Sequence, residues 1–212
     1  GPSAEPNQGQ QIKHVLALEE LDAKPDQLLT YYFWADDVGP NGQTRRTSSD
    51  MYFTEIRPFD EVFRENQSSQ NQREQQQNQE GGQQQGGQQD EQLARLQKQI
   101  ISATWNIKRQ VDQSGNIKDR NDDLDVVRQS QADAMQKAQS ALAEAEDPTQ
   151  SNALEAATEH MKTALEHLSS AAGSAASTEL TPALASEQSA YQELLKLKQD
   201  ERQVGREGRQ DQ

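Results

Sequence analysis

The sequence predicts a mainly α-helical protein with a small β part, and three observations lead to that fold class. Apolar residues in the range 91–204 recur at alternating spacings of three and four, as they do along one face of a helix. Seven of the ten aromatic residues fall within residues 27–59, in two runs that alternate as β-strands do. Between these regions, residues 65–90 are nearly half glutamine and contain no apolar side chain.

The composition argues against several classes of function. Only 31% of the 212 residues are hydrophobic, well below the roughly 45–50% of ordinary globular domains, so a large core is not expected. The formal charge of −14 repels phosphate backbones and anionic lipids, which argues against direct binding to nucleic acid or a lipid surface. The absence of cysteine removes disulfides and thiolate chemistry. No cofactor motif is present, and no cofactor is expected.

The composition divides the chain into four predicted parts. A β region covers 11–64, a glutamine- and glycine-rich linker covers 65–90, a helical bundle covers 91–204 and a charged tail covers 205–212. The linker contains two Gly-Gly pairs and no side chain that could bury apolar surface. Nothing in it offsets the entropy of ordering the chain, so the linker is expected to be disordered. The tail is also expected to be disordered.

The β region is predicted to form a hairpin. In the run LLTYYFWA, alternate side chains point to opposite faces, which places Tyr31 and Phe33 together on one face. Residues 36–50 are predicted to be a polar loop, because they contain the strong turn signal Gly-Pro-Asn-Gly. A second strand over 51–56 should end before Pro58, which cannot donate a hydrogen bond to a sheet.

The helical region is predicted to be an antiparallel bundle of about four amphipathic helices. Breaks are expected near Gly115, at the Asp-Pro pair 147–148, which should end the second helix, and near Gly173. The Thr-Pro pair 181–182 is a typical helix start.

The apolar stripes of these helices are narrow and rich in alanine. Each stripe therefore buries little area, at about 25 cal/mol per Å², and the bundle is expected to need a protein partner or a second copy. The predicted partner-facing residues are the larger side chains of the stripes: Trp105, Leu154, Met161, Leu165, Leu168, Tyr191 and Leu194. A second interpretation makes Trp105 simply the largest core residue of a thin bundle.

A leucine, a proline four residues later and a strand containing tyrosine stand at Leu21, Pro25 and Tyr31. This arrangement resembles the end of a fibronectin type III or immunoglobulin-like sandwich, in which a tyrosine packs across a corner. The resemblance implies a partial β-sandwich, because two or three strands alone are not stable. The other strands would lie upstream or come from another chain or copy.

The order of the parts also resembles a known family. The segments RPFDEVFRE at 57–65 and ALASEQSAYQELL at 183–195 are similar to large membrane-anchored bacterial proteins of unknown function. Those proteins have N-terminal transmembrane helices, immunoglobulin-like modules and a glutamine-rich stretch. The resemblance covers most of residues 15–204. It implies a place in the bacterial cell envelope, on the outer side of the cytoplasmic membrane, and it supplies no activity and no site residues.

No apolar run in this sequence reaches the roughly 18–20 residues that cross a bilayer. The chain is therefore expected to be soluble as given. Attachment to a membrane is expected only through upstream segments that this chain lacks.

Few residues are candidate metal ligands. Asp36, Asp37, Asn41 and Asp50 could gather oxygen atoms around calcium. The EF-hand spacing is absent, however, and a polar hairpin loop is the simpler interpretation.

Two further groups of polar residues favour structural interpretations. His160 and His167 are seven residues apart, whereas a helical metal pair needs a spacing of three or four, so a solvated polar face is expected. The acidic residues Asp122, Asp123 and Asp125 stand at a predicted helix start, where carboxylates complement the helix dipole.

Three functional hypotheses follow. The leading one is a non-enzymatic structural or protein-interaction module of the cell envelope, part of a larger membrane-anchored protein. The alternative is a ligand-binding module whose hairpin recognises a glycan or a calcium-bridged surface. The aromatic run 31–34 could stack on a sugar, although alternation sends its rings to two faces and core packing is favoured. The third is a hydrolase whose catalytic domain lies outside this chain, since no nucleophile elbow or P-loop is present.

Overall fold

The computed structural model describes residues 11–24, 27–56 and 85–207. Pro25, most of the predicted linker and the last five residues of the predicted tail lie outside the described residues. The fold class is confirmed, since four long helices and a small antiparallel β part make up the described chain.

The four helices are α1 (Gln85–Ser114), α2 (Asn121–Glu144), α3 (Pro148–Ser174) and α4 (Leu180–Glu207). Each helix packs against its neighbours in sequence, and α1 also packs against α4. This pattern of contacts closes the helices into a four-helix bundle with short connections, as predicted. Three short 3₁₀ helices, at Leu18–Leu21, Lys118–Arg120 and Ser177–Glu179, complete the helical structure described.

The predicted helix breaks are confirmed near Gly115 and Gly173, but the role predicted for the Asp-Pro pair is only partly right. Gly115 follows α1 with a φ of +70°, a conformation that glycine adopts without steric cost. Helix α2 already ends at Glu144. Asp147 is instead the N-cap of α3, accepting a hydrogen bond of 3.0 Å from the Gln150 amide, and proline occupies the first turn.

The start of α1 lies earlier than the sequence pattern indicates. The range 65–90 was predicted to be linker, but α1 begins at Gln85 and includes one of the two Gly-Gly pairs. Asp90 is buried, with 3% of its surface exposed, and its carboxylate accepts a hydrogen bond of 3.3 Å from the Gln150 side chain of α3. Contacts between helices can outweigh the low helix propensity of glycine in this first part of α1.

The β part is a single long antiparallel ribbon made of four short strands: β1 (Leu28–Tyr31), β2 (Trp34–Val38), β3 (Thr44–Ser48) and β4 (Tyr52–Glu55). Strand β1 pairs with β4, and β2 pairs with β3. Between the two ladders, two residues of one strand oppose three of the other, as at a β-bulge. The Phe33 carbonyl accepts a hydrogen bond of 2.8 Å from the Ser49 amide across this bulge.

The prediction of a polar loop over 36–50 is wrong for most of that range. Strands β2 and β3 extend into it and leave only five residues, 39–43, as the turn. Gly42 has a φ of +75°, which explains glycine at that position. The described residues 27–56 form two-stranded sheets only, so the immunoglobulin-like sandwich remains a prediction.

Candidate functional site

The inner face of the ribbon packs on α1 and α4. On α1, the Trp105 ring lies 4.4 Å from the Tyr32 ring, and its indole nitrogen donates a hydrogen bond of 3.0 Å to the Ser49 carbonyl. One turn further, Arg109 donates to the Ser48 carbonyl at 3.1 Å and forms a 3.0 Å ion pair with Asp50. These contacts fix the bulged middle of the ribbon.

The β1–β4 end of the ribbon packs on α4 in the same way. Phe53 makes an edge contact with Tyr191, at a distance of 6.2 Å between ring centroids. The Gln188 side chain donates to the hydroxyl of Thr30 at 3.4 Å. The Lys98 ammonium of α1 lies 5.1 Å from the centre of the Phe53 ring, close enough for a cation–π interaction. The ribbon is therefore held by both helices.

The outer face of the ribbon carries a cluster of three aromatic rings. Tyr31 and Tyr52 are direct cross-strand partners, and their rings stack at 5.3 Å. The Phe33 ring lies 5.9 Å from Tyr31 and 6.1 Å from Tyr52. Because side chains alternate along a strand, this cluster points away from the face that contacts the helices. We refer to Tyr31, Phe33 and Tyr52 as the outer aromatic cluster.

Most of the exposed apolar surface of the described chain lies on the ribbon and the segment before it. Phe33 is 62% exposed and Tyr52 is 46% exposed. Of the ten large hydrophobic side chains that are exposed, nine lie between residues 12 and 52 and one, Val126, lies on the bundle. The sequence interpretation of residues 31–34 as core packing is therefore wrong for most of these rings, and only their division between two faces is confirmed. Contiguous exposed apolar patches often mark interaction sites.

The β2–β3 end of the ribbon is closed by two ion pairs between directly opposed residues. Arg46 contacts Asp36 at 2.8 Å, and Arg45 contacts Asp37 in the same two-point manner. These hydrogen bonds hold the pKa of each aspartate below its ordinary value. Both pairs are exposed, so each contributes little to stability. Because adjacent strand residues point to opposite faces, Asp36 and Asp37 also point in opposite directions.

The four candidate calcium ligands consequently do not converge. Asp36 and Asp37 bind arginines, and Asp50 pairs with Arg109 on α1. The Asn41 side-chain oxygen accepts a hydrogen bond of 3.1 Å from the Gln43 amide within the turn. In the part of the chain that the structure describes, no group of three or more acidic or histidine side chains is arranged to hold a metal ion.

A groove of about 920 Å³ runs between the ribbon and the second half of α1. Its wall includes Arg45, Arg46 and Arg109 together with Trp105. Each of the three arginines is already paired with an aspartate. The groove therefore has little free positive charge with which to bind an anion.

The residues predicted to face a partner are instead part of the protein's own core. Six of the seven are at most 6% exposed, namely Trp105, Leu154, Met161, Leu168, Tyr191 and Leu194. The seventh, Leu165, is half-buried. The stripes of the four helices face each other within one chain, which sequence alone could not distinguish from stripes that face a second chain.

His167 and the acidic run have structural surroundings. His167 contacts Glu179 at 2.7 Å and so connects α3 to the turn before α4. Asp122 and Asp123 lie in the first turn of α2, as predicted. Asp125 forms an ion pair with Arg128 at 2.8 Å.

A buried polar cluster in the bundle was missed by the sequence interpretation. Gln97 of α1 and Gln131 of α2 exchange side-chain hydrogen bonds of 3.1 and 3.2 Å. Thr104 of α1 donates to the Glu187 carboxyl of α4 at 2.7 Å. All four residues have no exposed surface. The sequence does carry a signal for this cluster, because each of the four residues falls within the apolar stripe of its own helix.

Glu187 has the most unusual surroundings of this cluster. Its Oε1 atom accepts the hydrogen bond from Thr104, whereas its Oε2 atom is buried without a partner among the described residues. Burial raises the pKa of Glu187 from 4.5 to about 8, and the hydrogen bond from Thr104 opposes this shift. The carboxyl is therefore mostly protonated at neutral pH.

The fold and these contacts define the class of molecule as a four-helix bundle that carries a docked β-ribbon. No helix in the described part of the chain combines the length and apolarity needed to span a membrane. Comparison of the chain with known protein families, curated proteins and solved structures finds no match. The proposal of a binding surface therefore depends on the geometry of this chain.

Proposed function

We propose that the chain is a non-enzymatic protein-interaction module, in which the bundle supports the ribbon and the ribbon binds a protein partner. The outer aromatic cluster of Tyr31, Phe33 and Tyr52 is the binding surface. The observation that carries this proposal is the exposed contact among these rings: they lie within 6.1 Å of one another, and Phe33 is 62% and Tyr52 46% exposed. Aromatic side chains are enriched at interfaces because they bury a large area at low entropic cost.

This binding surface differs from the one predicted from the sequence, which lay on the apolar stripes of the helices. The stripes are buried inside the bundle, so a partner could reach them only if the bundle opened. The outer aromatic cluster is accessible without any rearrangement. Its strands also form sheets of only two strands, so backbone groups at the ribbon edges are open to pairing with a strand from a partner.

A place in the bacterial cell envelope, on the outer side of the cytoplasmic membrane, is part of the same proposal. Its support is the resemblance of the segments at 57–65 and 183–195 to membrane-anchored envelope proteins. Detection of the native protein in the cytosolic fraction of its source cells would contradict this location.

Replacing Phe33 and Tyr52 together with serine should abolish partner binding, because both exposed rings of the outer aromatic cluster are removed. The change should leave the bundle folded, since neither ring contacts a helix in the described contacts. Val126→Ser is the matched control, because Val126 is 62% exposed but lies on α2. Each protein would be immobilised and used to capture proteins from an envelope extract of the source cells.

We expect the native chain and the Val126→Ser variant to retain the same protein in stoichiometric amounts, and the double variant to retain none of it. Equal retention by all three proteins would contradict the proposal. Retention lost only in the Val126→Ser variant would move the binding surface to the bundle.

A further inference from the structure

The buried carboxyl of Glu187 belongs to a contact between α1 and α4, the two helices on which the ribbon packs. The 2.7 Å hydrogen bond from Thr104 joins α1 to α4 at this point. The next residue along each helix contacts the ribbon. Trp105 donates to the backbone between β3 and β4, and Gln188 donates to a threonine side chain of β1. The hydrogen bond between Thr104 and Glu187 is thus one residue away from a ribbon contact on each of the two helices.

Among the described residues, no cation contacts the Glu187 carboxyl: Oε1 accepts from Thr104, and Oε2 has no hydrogen-bond partner. The buried residues of α2 and α3 include no titratable group, and the polar partners on α1 and α2 are Gln97, Thr104 and Gln131. Titratable groups on the neighbouring helical turns are engaged elsewhere: Lys98 of α1 lies over Phe53, Arg128 of α2 pairs with Asp125, and Tyr191 of α4 contacts Phe53. An isolated buried carboxylate is strongly unfavourable, so ionisation requires water.

A cavity of about 250 Å³ lies between the ribbon and the bundle, and its wall includes Phe53 and Tyr191. Tyr191 lies one helical turn after Glu187 on α4. Opening at this interface would hydrate the carboxylate without unfolding all four helices.

We propose that Glu187 is a pH-sensitive switch of ribbon docking, in which loss of its proton separates α4 from α1 at Thr104 and releases the ribbon. The proposal concerns the docking of the ribbon and does not depend on what the ribbon binds.

The direction of the pH effect follows from the two protonation states. The docked form retains the proton up to about pH 8, because burial raises the pKa of Glu187 from 4.5 to about 8. The released form, with the carboxyl in water, loses the proton near its ordinary pKa. Raising the pH through this interval therefore favours release, by up to about tenfold in the docking equilibrium per pH unit. Above the raised pKa the effect levels off, and below the ordinary pKa docking is strongest.

The test measures ribbon release and helix content separately as the pH is raised. In a Trp34→Phe background, Trp105 is the only tryptophan, so the quenching of its fluorescence by acrylamide reports release of the ribbon. Circular dichroism reports the helices. We expect quenching to increase severalfold as the pH rises toward 8 and to level off above it, while most of the helical signal persists.

Two variants make the test specific to the carboxyl. Glu187→Gln has the same shape and no ionisable group, so its quenching should not change over this pH range. Thr104→Val removes the hydrogen bond that joins α1 to α4 in the docked form, so release should move to lower pH. The proposal is overturned if Glu187→Gln shows the same pH profile as the parent, or if helix content is lost with the same midpoint as docking.

Discussion

Replacing Leu168 with alanine should lower the free energy of unfolding by about 2–5 kcal/mol, the range for removing a large aliphatic side chain from a packed core. Leu168 has no exposed surface and lies on the stripe of α3 that faces the rest of the bundle. Urea denaturation followed by circular dichroism would give the free energy. The midpoint should not depend on protein concentration, because the partners of this stripe lie on the same chain.

Leu165→Ala is the control for the Leu168 experiment. Leu165 lies less than one turn before Leu168 on the same helix but is only half-buried, so the loss should be clearly smaller. Equal losses for the two variants would contradict the packing of α3. A midpoint that rises with protein concentration would restore the interpretation in which the stripes associate with a second copy.

Replacing Trp105 with alanine should have the second large effect, because this side chain belongs both to the core of the bundle and to the ribbon interface. Trp105 is 6% exposed, contacts Tyr32 and donates to the Ser49 carbonyl. We expect a loss of about 3–5 kcal/mol in the free energy of unfolding. Hydrogen exchange of the backbone amides in residues 28–55 should also accelerate, since the ribbon loses its main contact with α1.

Trp105→Phe separates the two contributions of this residue. It keeps an aromatic ring in the core but removes the donor to Ser49, so part of the core packing remains and about 1 kcal/mol is lost with the hydrogen bond. Its amide exchange in the ribbon should lie between the native protein and Trp105→Ala. Unchanged exchange in the ribbon of Trp105→Ala would mean that the ribbon does not depend on this contact.

The helices could be predicted because their signals are local. The alternation of three and four along each stripe, and the glycines at 115 and 173, depend on residues close together in sequence. The division of Tyr31 and Tyr32 between two faces follows equally from the alternation of a strand. Each of these features needs no knowledge of the rest of the chain.

The features that could not be predicted depend on contacts distant in sequence. Strands β2 and β3 set Asp36 and Asp37 opposite arginines of the other strand, whereas a run of polar residues alone resembles a loop. Trp105 faces the ribbon across a separation of more than fifty residues. Glu187 meets its hydrogen-bond donor, Thr104, on another helix, although its position within an apolar stripe was visible.

The exposure of the outer aromatic cluster could not be predicted from the sequence either. Alternation places Tyr31 and Phe33 on one face, but it does not say which face is covered by helices. That choice is made by the contacts of Phe53 and Tyr32 with α4 and α1. The exposed surface on which the proposed function depends is therefore a consequence of tertiary packing.

The central claim is that the ribbon packs by its inner face on the bundle and leaves its outer face open, and disulfide formation tests it most directly. The chain contains no cysteine, so pairs can be introduced without interference. Thr30 and Gln188 have side chains in contact at 3.4 Å, whereas Thr54 lies on the outer face. Under mild oxidation, Thr30→Cys with Gln188→Cys should form a disulfide faster than Thr54→Cys with Gln188→Cys, because only Thr30 faces α4. Equal rates for the two pairs, or a faster rate for the second, would contradict the docking of the ribbon.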